Sequence, residues 1–489
     1  MMTKPVKSNP FAPRQYGELY SVTERVYIFR NITNSSFVVG DRSVAVIDTQ
    51  VNAPLAEEFL KSIRSVTGKP IEYVINTHYH WDHTNGNQLF KEQGATIISS
   101  SLTKDFMVRR APRQKEFLAG RGFELGSDPL LPEITHSGEH RIDLGAMPIR
   151  IFFAGSAETE DASAVHVLSE DVLMSGDTVM TGSFPIFGQP VWDEGLEGDQ
   201  WIKTIQNLLS LKPKHIVPGH GPLAYEAEVQ LLVKIQKYFL EEVKALVDKG
   251  LDWKETLENL EPRLPGWITE IPIVWGTPRY AILRVYRGLT KRKTDQELGW
   301  QQYKPSVIPS KEASVLTPLL QRAERPADFL QMSTEAREGG DPALQISILK
   351  KGAEVFPDSA EVLSAFAESL IEASREEASV LEKGDFFQAA RKCWDKALAL
   401  EPSHPGALLG KGRYLTMMAY RGGDDPRAGM ALLENVVQAK PGSRVQAEAE
   451  FYLGMGHRRL GDETKALAQF KKALEADPSF IPAFLASQC

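Results

Sequence analysis

The segment NTHYHWDHTNGN gathers His78, His80, Asp82 and His83 within six positions, directly after the apolar run IEYVIN. Imidazole nitrogens and carboxylate oxygens are ligands for divalent ions of the zinc type. If the apolar run is a buried strand, His78 and His80 project to one side and can reach one ion. Asp82 and His83 lie where the chain turns away and can reach a second ion beside the first. Two ions so placed activate a water and stabilise the charge that develops when an ester-like bond breaks. The competing reading is a solvated histidine-rich turn. Since the whole chain holds only ten histidines, three of them in six positions are poorly explained by composition.

Other phrases can be searched for the remaining ligands: VAVIDTQ carries Asp48, GSAET Glu158, SGDTV Asp177 and IVPGHGP His220. A lone Gly-Asp or Gly-His would mean only a turn. Together with the histidine cluster, their order and spacing resemble the metallo-β-lactamase superfamily over about residues 17–290. The resemblance implies an αβ/βα sandwich with two Zn²⁺ ions at one edge. It implies His78, His80, Asp82, His83, Glu158, Asp177 and His220 as metal ligands, with Asp177 bridging and Asp48 bracing the site from behind. A hydroxide held between the ions would be the nucleophile, and Asp82 and Asp177 the catalytic residues that relay the proton.

Glu158 departs from the family pattern, which usually has a histidine there in a G-x-A-H-T context. Glu160 is a rival that the register disfavours, and His166, in the strand-like SAVHVLSE, is expected to be a packed core residue. A third carboxylate makes the site less cationic, which raises the pKa of the bridging water and eases release of an anionic product. The extra hard oxygen also admits manganese or iron as alternatives to zinc. A glutamate here resembles the alkyl sulfatases, dizinc enzymes that hydrolyse sulfate esters of fatty alcohols and dimerise through a helical domain. Those enzymes usually bridge their metals with a glutamate where this chain has Asp177, and end in a sterol-carrier-like domain rather than in repeats.

The resemblance therefore implies a sulfuric-ester hydrolase acting on a small anionic or amphiphilic ester. The alternatives are a lactonase, a carboxylic or thioester hydrolase or a β-lactamase-like enzyme, all of which usually keep the histidine. From a different class comes a repeat-based adaptor with a structural metal domain, but a closed structural site needs only about four ligands. For the substrate, SFPIFGQPVW places Phe184, Ile186, Phe187 and Trp192 on a loop expected to overhang the metals, with loop packing as the alternative. TKDFMVRRAPRQKEFLAGR offers Arg109 and Arg113 as an anion clamp, with a solvated helix face as the alternative.

The elements that must position these residues read as short strands from Gly17: ELYSVTERVYIFRN, SSFVVG, SVAVIDTQ and later PIRIFFAG, SAVHVLSE, DVLMSGD and HIVPGHG. Helices are expected at 53–67, at 199–210 and from Ala224 to Lys249, stopping at Gly250. Mixed strands with helices outside them make an α/β layered domain over 17–290, after a tail at 1–16. A charged segment, 291–315, reads as a linker, and beyond it strand patterns give way to an all-α helical-repeat domain, 316–489. There Pro357, Pro402, Pro441 and Pro478 end similar phrases 45, 39 and 37 residues apart. The last unit is similar to a tetratricopeptide repeat, with Leu453, Gly454, Ala466, Phe470, Ala473 and Pro478 at the signature offsets. A homodimer formed through this domain is expected.

The net charge of −8 over 489 residues argues against nucleic acid as a partner. No apolar run approaches the roughly 18–20 residues needed to span a bilayer. The N-terminus shows no apolar signal-peptide core, and two cysteines, Cys393 and Cys489, make no disulfide framework. A cytoplasmic protein is the expectation.

Overall fold

Strands that are apolar on both faces must be covered on both faces. In this computed structural model β1 (Glu18–Ser21), β2 (Val26–Arg30), β3 (Asn34–Val39) and β4 (Val44–Ile47) pair antiparallel in sequence order. β5 (Ile71–Ile75), β6 (Thr96–Ser100) and β7 (Ile134–His136) extend the same sheet parallel to β4. A second sheet runs β8 (Glu139–Asp143), β9 (Pro148–Phe153), β10 (Ser163–Val167) and β11 (Val172–Met174), all antiparallel, with β12 (His215–Val217) parallel to β11. The described residues are 6–9, 17–119, 128–188, 193, 198–291, 311, 316–317, 323–375, 380–422, 425–439, 442–480, 482–483 and 486.

Alternation along each strand divides its side chains between two cores. Val26, Ile28, Val38, Ala45, Ile47, Ile75 and Ile98 meet Ile149, Ile151, Val165, Val167 and Met174 of the other sheet. Their neighbours Phe29, Phe37, Val46, Val74 and Ile97 face outward onto Phe59 and Ile63 of α1 (Ala53–Val66). The short helices α2 (Trp81–Thr84) and α3 (Asn87–Glu92) follow β5, and α4 (Ser101–Ala119) follows β6. On the far side Leu208 of α5 (Gln200–Ser210) packs on Ala164 and Leu173. Then come α6 (Glu226–Val247), α7 (Trp253–Leu260), α8 (Gly266–Thr269) and α9 (Pro278–Thr290). This is an α/β sandwich with helices on both outer faces. The helices expected at 199–210 and 224–249 are found at Gln200–Ser210 and Glu226–Val247, with Trp201, Ile202, Ile205 and Leu208 buried.

The chain divides into two compact units, 1–304 and 305–489. The expected linker, 291–315, falls for its greater part outside the described residues. In the second unit the helices are α10 (Pro326–Glu338), α11 (Pro342–Val355), α12 (Ala360–Ala373), α13 (Val380–Leu400), α14 (Pro405–Gly422), α15 (Arg427–Gln438), α16 (Ser443–Arg459) and α17 (Glu463–Ala476). Consecutive helices pack in pairs, and small residues set how closely they approach. A Cβ on Gly454 would lie 2.4 Å from the Phe470 ring, and Ala466, Phe470 and Ala473 are fully buried beside it. Asp341, Ser359 and Asp462 cap α11, α12 and α17 by accepting a backbone N–H. Among the described residues no helix is long and apolar enough to cross a membrane.

Candidate metal centre

The candidate ligands lie beyond strand ends, where the backbone is free to turn. β5 stops at Ile75, so His78 and His80 occupy an extended loop rather than the strand itself. His80 then begins α2, whose single turn carries Asp82 and His83. Glu158 comes from the loop between β9 and β10, Asp177 from a 3-10 turn after β11, and His220 from just past β12. Two glycines are required there. Gly176 has φ +50°, and a Cβ on Gly219 would meet Asp177 Oδ1 at 1.8 Å.

These elements bring together two groups, each able to hold a metal ion: His78, His80, Glu158 and Asp177, and Asp82, His83 and His220. Asp177 lies between them, with Oδ2 3.9 Å from His78 Nε2 and 3.2 Å from His220 Nε2, and Oδ1 3.3 Å from His83 Nε2. Glu158 Oε2 is 3.4 Å from His80 Nδ1 and 4.0 Å from His78 Nε2. Asp82 Oδ2 lies 3.4 Å from His220 Nε2 and 3.5 Å from His83 Nε2.

Each imidazole is fixed by a bond at its other nitrogen, which sets the tautomer. His83 Nδ1 donates to Asp48 Oδ2 at 2.8 Å and His220 Nδ1 to the Ile32 carbonyl at 2.8 Å. The Thr77 hydroxyl donates to Asp48 Oδ2, so it accepts from His78 Nδ1 at 3.1 Å. His80 is turned the other way round: its Nε2 lies 3.2 Å from both oxygens of Asp193. Asp48 braces the site as expected, from a backbone at φ +58°. Thr33 donates to Asp82 Oδ2 at 2.6 Å.

What remains unbonded is the set of atoms facing inward. His78 Nε2, His83 Nε2, His220 Nε2, both Glu158 oxygens and Asp177 Oδ1 are buried without a hydrogen-bond partner. Buried polar atoms are normally satisfied, and a pair of divalent ions would satisfy this set, so the donors fit the group. The protonation states of the metal-free protein reflect how many ionisable groups are buried together. Burial, reinforced by the charge of His83, keeps His78 well below the usual histidine range. Burial opposes charge on His83 too, yet Asp177, Asp82 and Asp48 hold it well above that range. Against the same burial penalty, Glu158 and Asp193 push His80 up to about 10. Burial raises Glu158 well above an ordinary carboxyl. Asp177 is driven well below by His220 and His83, against its own burial.

The residues expected to bind substrate are placed differently. Phe184 and Phe187 are each 1% exposed and stack within the helical core against Phe239 and, for Phe187, Trp201. These two side chains pack inward instead of overhanging the metals, because that core supplies aromatic partners that the sequence around them does not announce. Trp192 lies outside the described residues. Arg109 is exposed and paired with Asp105 on its own helix, and Arg113 is exposed. Arg110, in the same run, is drawn toward the centre. It bonds Glu160 at 2.9 Å, lies 3.9 Å from Asp193 and stacks on Phe106. His166 is buried in β10 beside Asp171.

Asp193 and Arg284 went unrecognised in the sequence. Arg284 carried a signal: it sits in AILRVYRGL among mostly apolar residues, and a buried arginine must be paired. Asp193 carried none, being one of several acids in the phrase WDEGLEGD.

The metallo-β-lactamase superfamily model matches residues 28–220, and tetratricopeptide repeat models match 375–444 and 447–480. The chain is 26% identical over 256 residues to the 2,4-dinitroanisole O-demethylase subunit alpha of Nocardioides sp. (strain JS1661), covering 51% of this chain and 67% of that protein. It is 21% identical over 296 residues to the linear primary-alkylsulfatase of Pseudomonas sp. (strain ATCC 19151), covering 53% and 54%. Among solved structures, a stereoselective inverting sec-alkylsulfatase from Pseudomonas sp. superposes with TM-score 0.55 at 16% identity, over 77% of this chain and 65% of that one. The matches thus span between about half and two-thirds of these relatives' own length. The N-terminal unit is a metallo-β-lactamase fold domain, and the C-terminal unit carries tetratricopeptide repeats. A metal-binding cluster in that fold supports a metal-dependent hydrolase.

Proposed function

We propose that this chain is a dinuclear zinc-dependent hydrolase of small amphiphilic esters, with sulfate esters of apolar alcohols as its substrates. The observation that carries the hydrolase reading is the convergence of the buried, unpartnered donor atoms on one centre with Asp177 in their midst. The substrate class rests on Glu158 in the position where most of the superfamily has histidine. It draws support from the likeness to a linear primary-alkylsulfatase.

In this reading His78, His80 and Glu158 hold one ion, Asp82, His83 and His220 the other, and Asp177 both. Bound there, two divalent ions supply an acidified water as nucleophile and neutralise charge growing on the scissile group. His80 and Asp82 are the most exposed of the seven, at 6% and 8%, so substrate reaches the centre from their side. Thr33 engages Asp82 Oδ2 and thereby leaves Oδ1 to carry the proton to the leaving group. Three carboxylates, Asp82, Glu158 and Asp177, lower the net positive charge of the loaded site, which favours departure of the anionic product. His80 must lose the proton it holds in the metal-free protein before Nδ1 can ligate, so metal affinity falls as the pH drops.

The test is sulfate release from dodecyl sulfate by zinc-reconstituted protein, with Glu158→Ala as control. Release that vanishes in the control supports the proposal. Absence of release from a chain carrying two zinc ions would remove sulfate esters and turn the search to carboxylic esters and lactones.

A further inference from the structure

We propose that Arg284 is a positioning residue for the first metal site alone, acting on two of its ligands from helix α9. The proposal rests on the ligand assignment above.

Arg284 is 0% exposed, and its guanidinium reaches three separate segments. Nη2 donates to the Glu158 carbonyl at 3.2 Å, Nη1 donates to the Phe187 carbonyl at 2.8 Å, and Nη1 lies 3.8 Å from Asp193 Oδ2. Asp193, also 0% exposed, holds His80 by Nε2 and accepts a bond from the Tyr79 hydroxyl. One buried cation therefore fixes the backbone that presents Glu158 and anchors the carboxylate that turns His80 Nδ1 toward Glu158. The planar fork of a guanidinium can serve several acceptors at fixed angles; an ammonium cannot. The chain makes room for this fork at some cost in freedom. Gly188 has φ +70°, and a Cβ there would lie 1.8 Å from Arg284 Nη1 and 2.8 Å from Asp193 Oδ2.

The second cluster is held otherwise. His83 leans on Asp48, His220 on the Ile32 carbonyl and Asp82 on Thr33, whereas the Arg284 bonds described above run to the Glu158 and Phe187 segments and to Asp193. The two sites thus have separate supports, and their affinities should be separable. The first site answers to a residue 126 positions from Glu158.

The experiment uses the full chain in two backgrounds. His220→Ala leaves only the first cluster whole, and Glu158→Ala only the second. Zinc affinity is read by competition with a chromophoric chelator, and ion content by mass spectrometry. Adding Arg284→Met weakens zinc at least about tenfold in the His220→Ala background and less than about threefold in the Glu158→Ala background. Arg284→Met takes one cationic partner from the buried Asp193, which keeps His80 and Tyr79. Arg284→Met/Asp193→Asn removes both charges together, and Gly188→Ala disturbs the seat of the guanidinium without removing it; each gives the same one-sided loss. Equal weakening in both backgrounds, or none in either, overturns the proposal. A wild-type chain that binds fewer than two ions refutes the ligand assignment instead, before any variant is compared.

Discussion

Between α16 and α17 the buried positions include Leu453, Gly454, Ala466, Phe470 and Ala473. At the same depth in the α/β unit lie His83, Glu158, Asp161, Asp193 and Arg284, all 0% exposed. The first set is what close packing of two helices asks for. The second is what close packing penalises, since each charge gives up its hydration and regains it only through partners. The sandwich of Ile, Val and Leu around the centre supplies the stability that such a site subtracts. The difference teaches where to look for function: apart from Glu450, α16 and α17 bury mainly small and apolar side chains, whereas the sheet edge gathers many charged groups whose inward atoms a pair of ions would satisfy.

That contrast can be broken most sharply at Asp177, the group shared between the clusters. Asp177→Ala is expected to lower turnover by at least about 10³-fold and to reduce bound metal. The melting of the helical unit should not move. Rates within tenfold of wild type, with the metal still bound, would sink the assignment of the centre. The complementary change is Phe470→Ala, which opens a cavity beside Gly454 and should cost about 3–5 kcal/mol in the helical unit. Metal content and turnover should stay at wild-type values. Loss of metal in that variant would contradict the separate roles of the two interiors.

Residues that act through short, ordered phrases could be read directly from the sequence. His78, His80, Asp82 and His83 sit in one segment, and Asp177 and His220 stand in phrases whose order and spacing resemble those of the superfamily. The structure brings them together with Glu158. Gly454 and Phe470 were readable for the same reason, because a repeat restates its packing at fixed offsets. What could not be read depends on contacts between distant segments. Asp193 meets His80 across 113 positions and Arg284 meets Phe187 across 97, and no periodicity encodes either pairing. Phe184 and Phe187 left two readings open for the same reason. Aromatic side chains can line a cleft or fill a core, and here they meet Phe239 and Trp201, which lie outside their own phrase.

Within the α/β unit the brace behind the second cluster gives a smaller effect. Asp48 accepts from Thr77 N, Thr77 Oγ1 and His83 Nδ1, each at 2.8 Å. Asp48→Asn keeps the shape but weakens the acceptor for His83, so zinc affinity should fall about 10–100-fold while the fold persists. Unaltered affinity in chelator competition would mean that the His83 ring is held by packing alone.

The smallest effect is expected at Asp161, a buried carboxyl near the centre that is not among the seven. Burial pushes it up to about 6, although the Thr159 and Thr103 hydroxyls and His80 pull the other way. In the unfolded chain the same group titrates near pH 4. As pH rises, the unfolded chain therefore loses this proton first, and folding stability declines between about pH 4 and pH 6. Above about pH 6 both states are ionised and the deficit is constant, with a ceiling of about 3 kcal/mol for a shift of this size. Asp161→Asn removes the titration while keeping the side chain's size. Its advantage over wild type in the metal-free protein should be near zero at pH 4 and reach roughly 1–2 kcal/mol at pH 7. Denaturant unfolding at the two pH values measures it. An advantage of equal size at both would show that the amide gains by packing or hydrogen bonding. It would then no longer mark Asp161 as a buried charge kept near the centre against the stability of the fold.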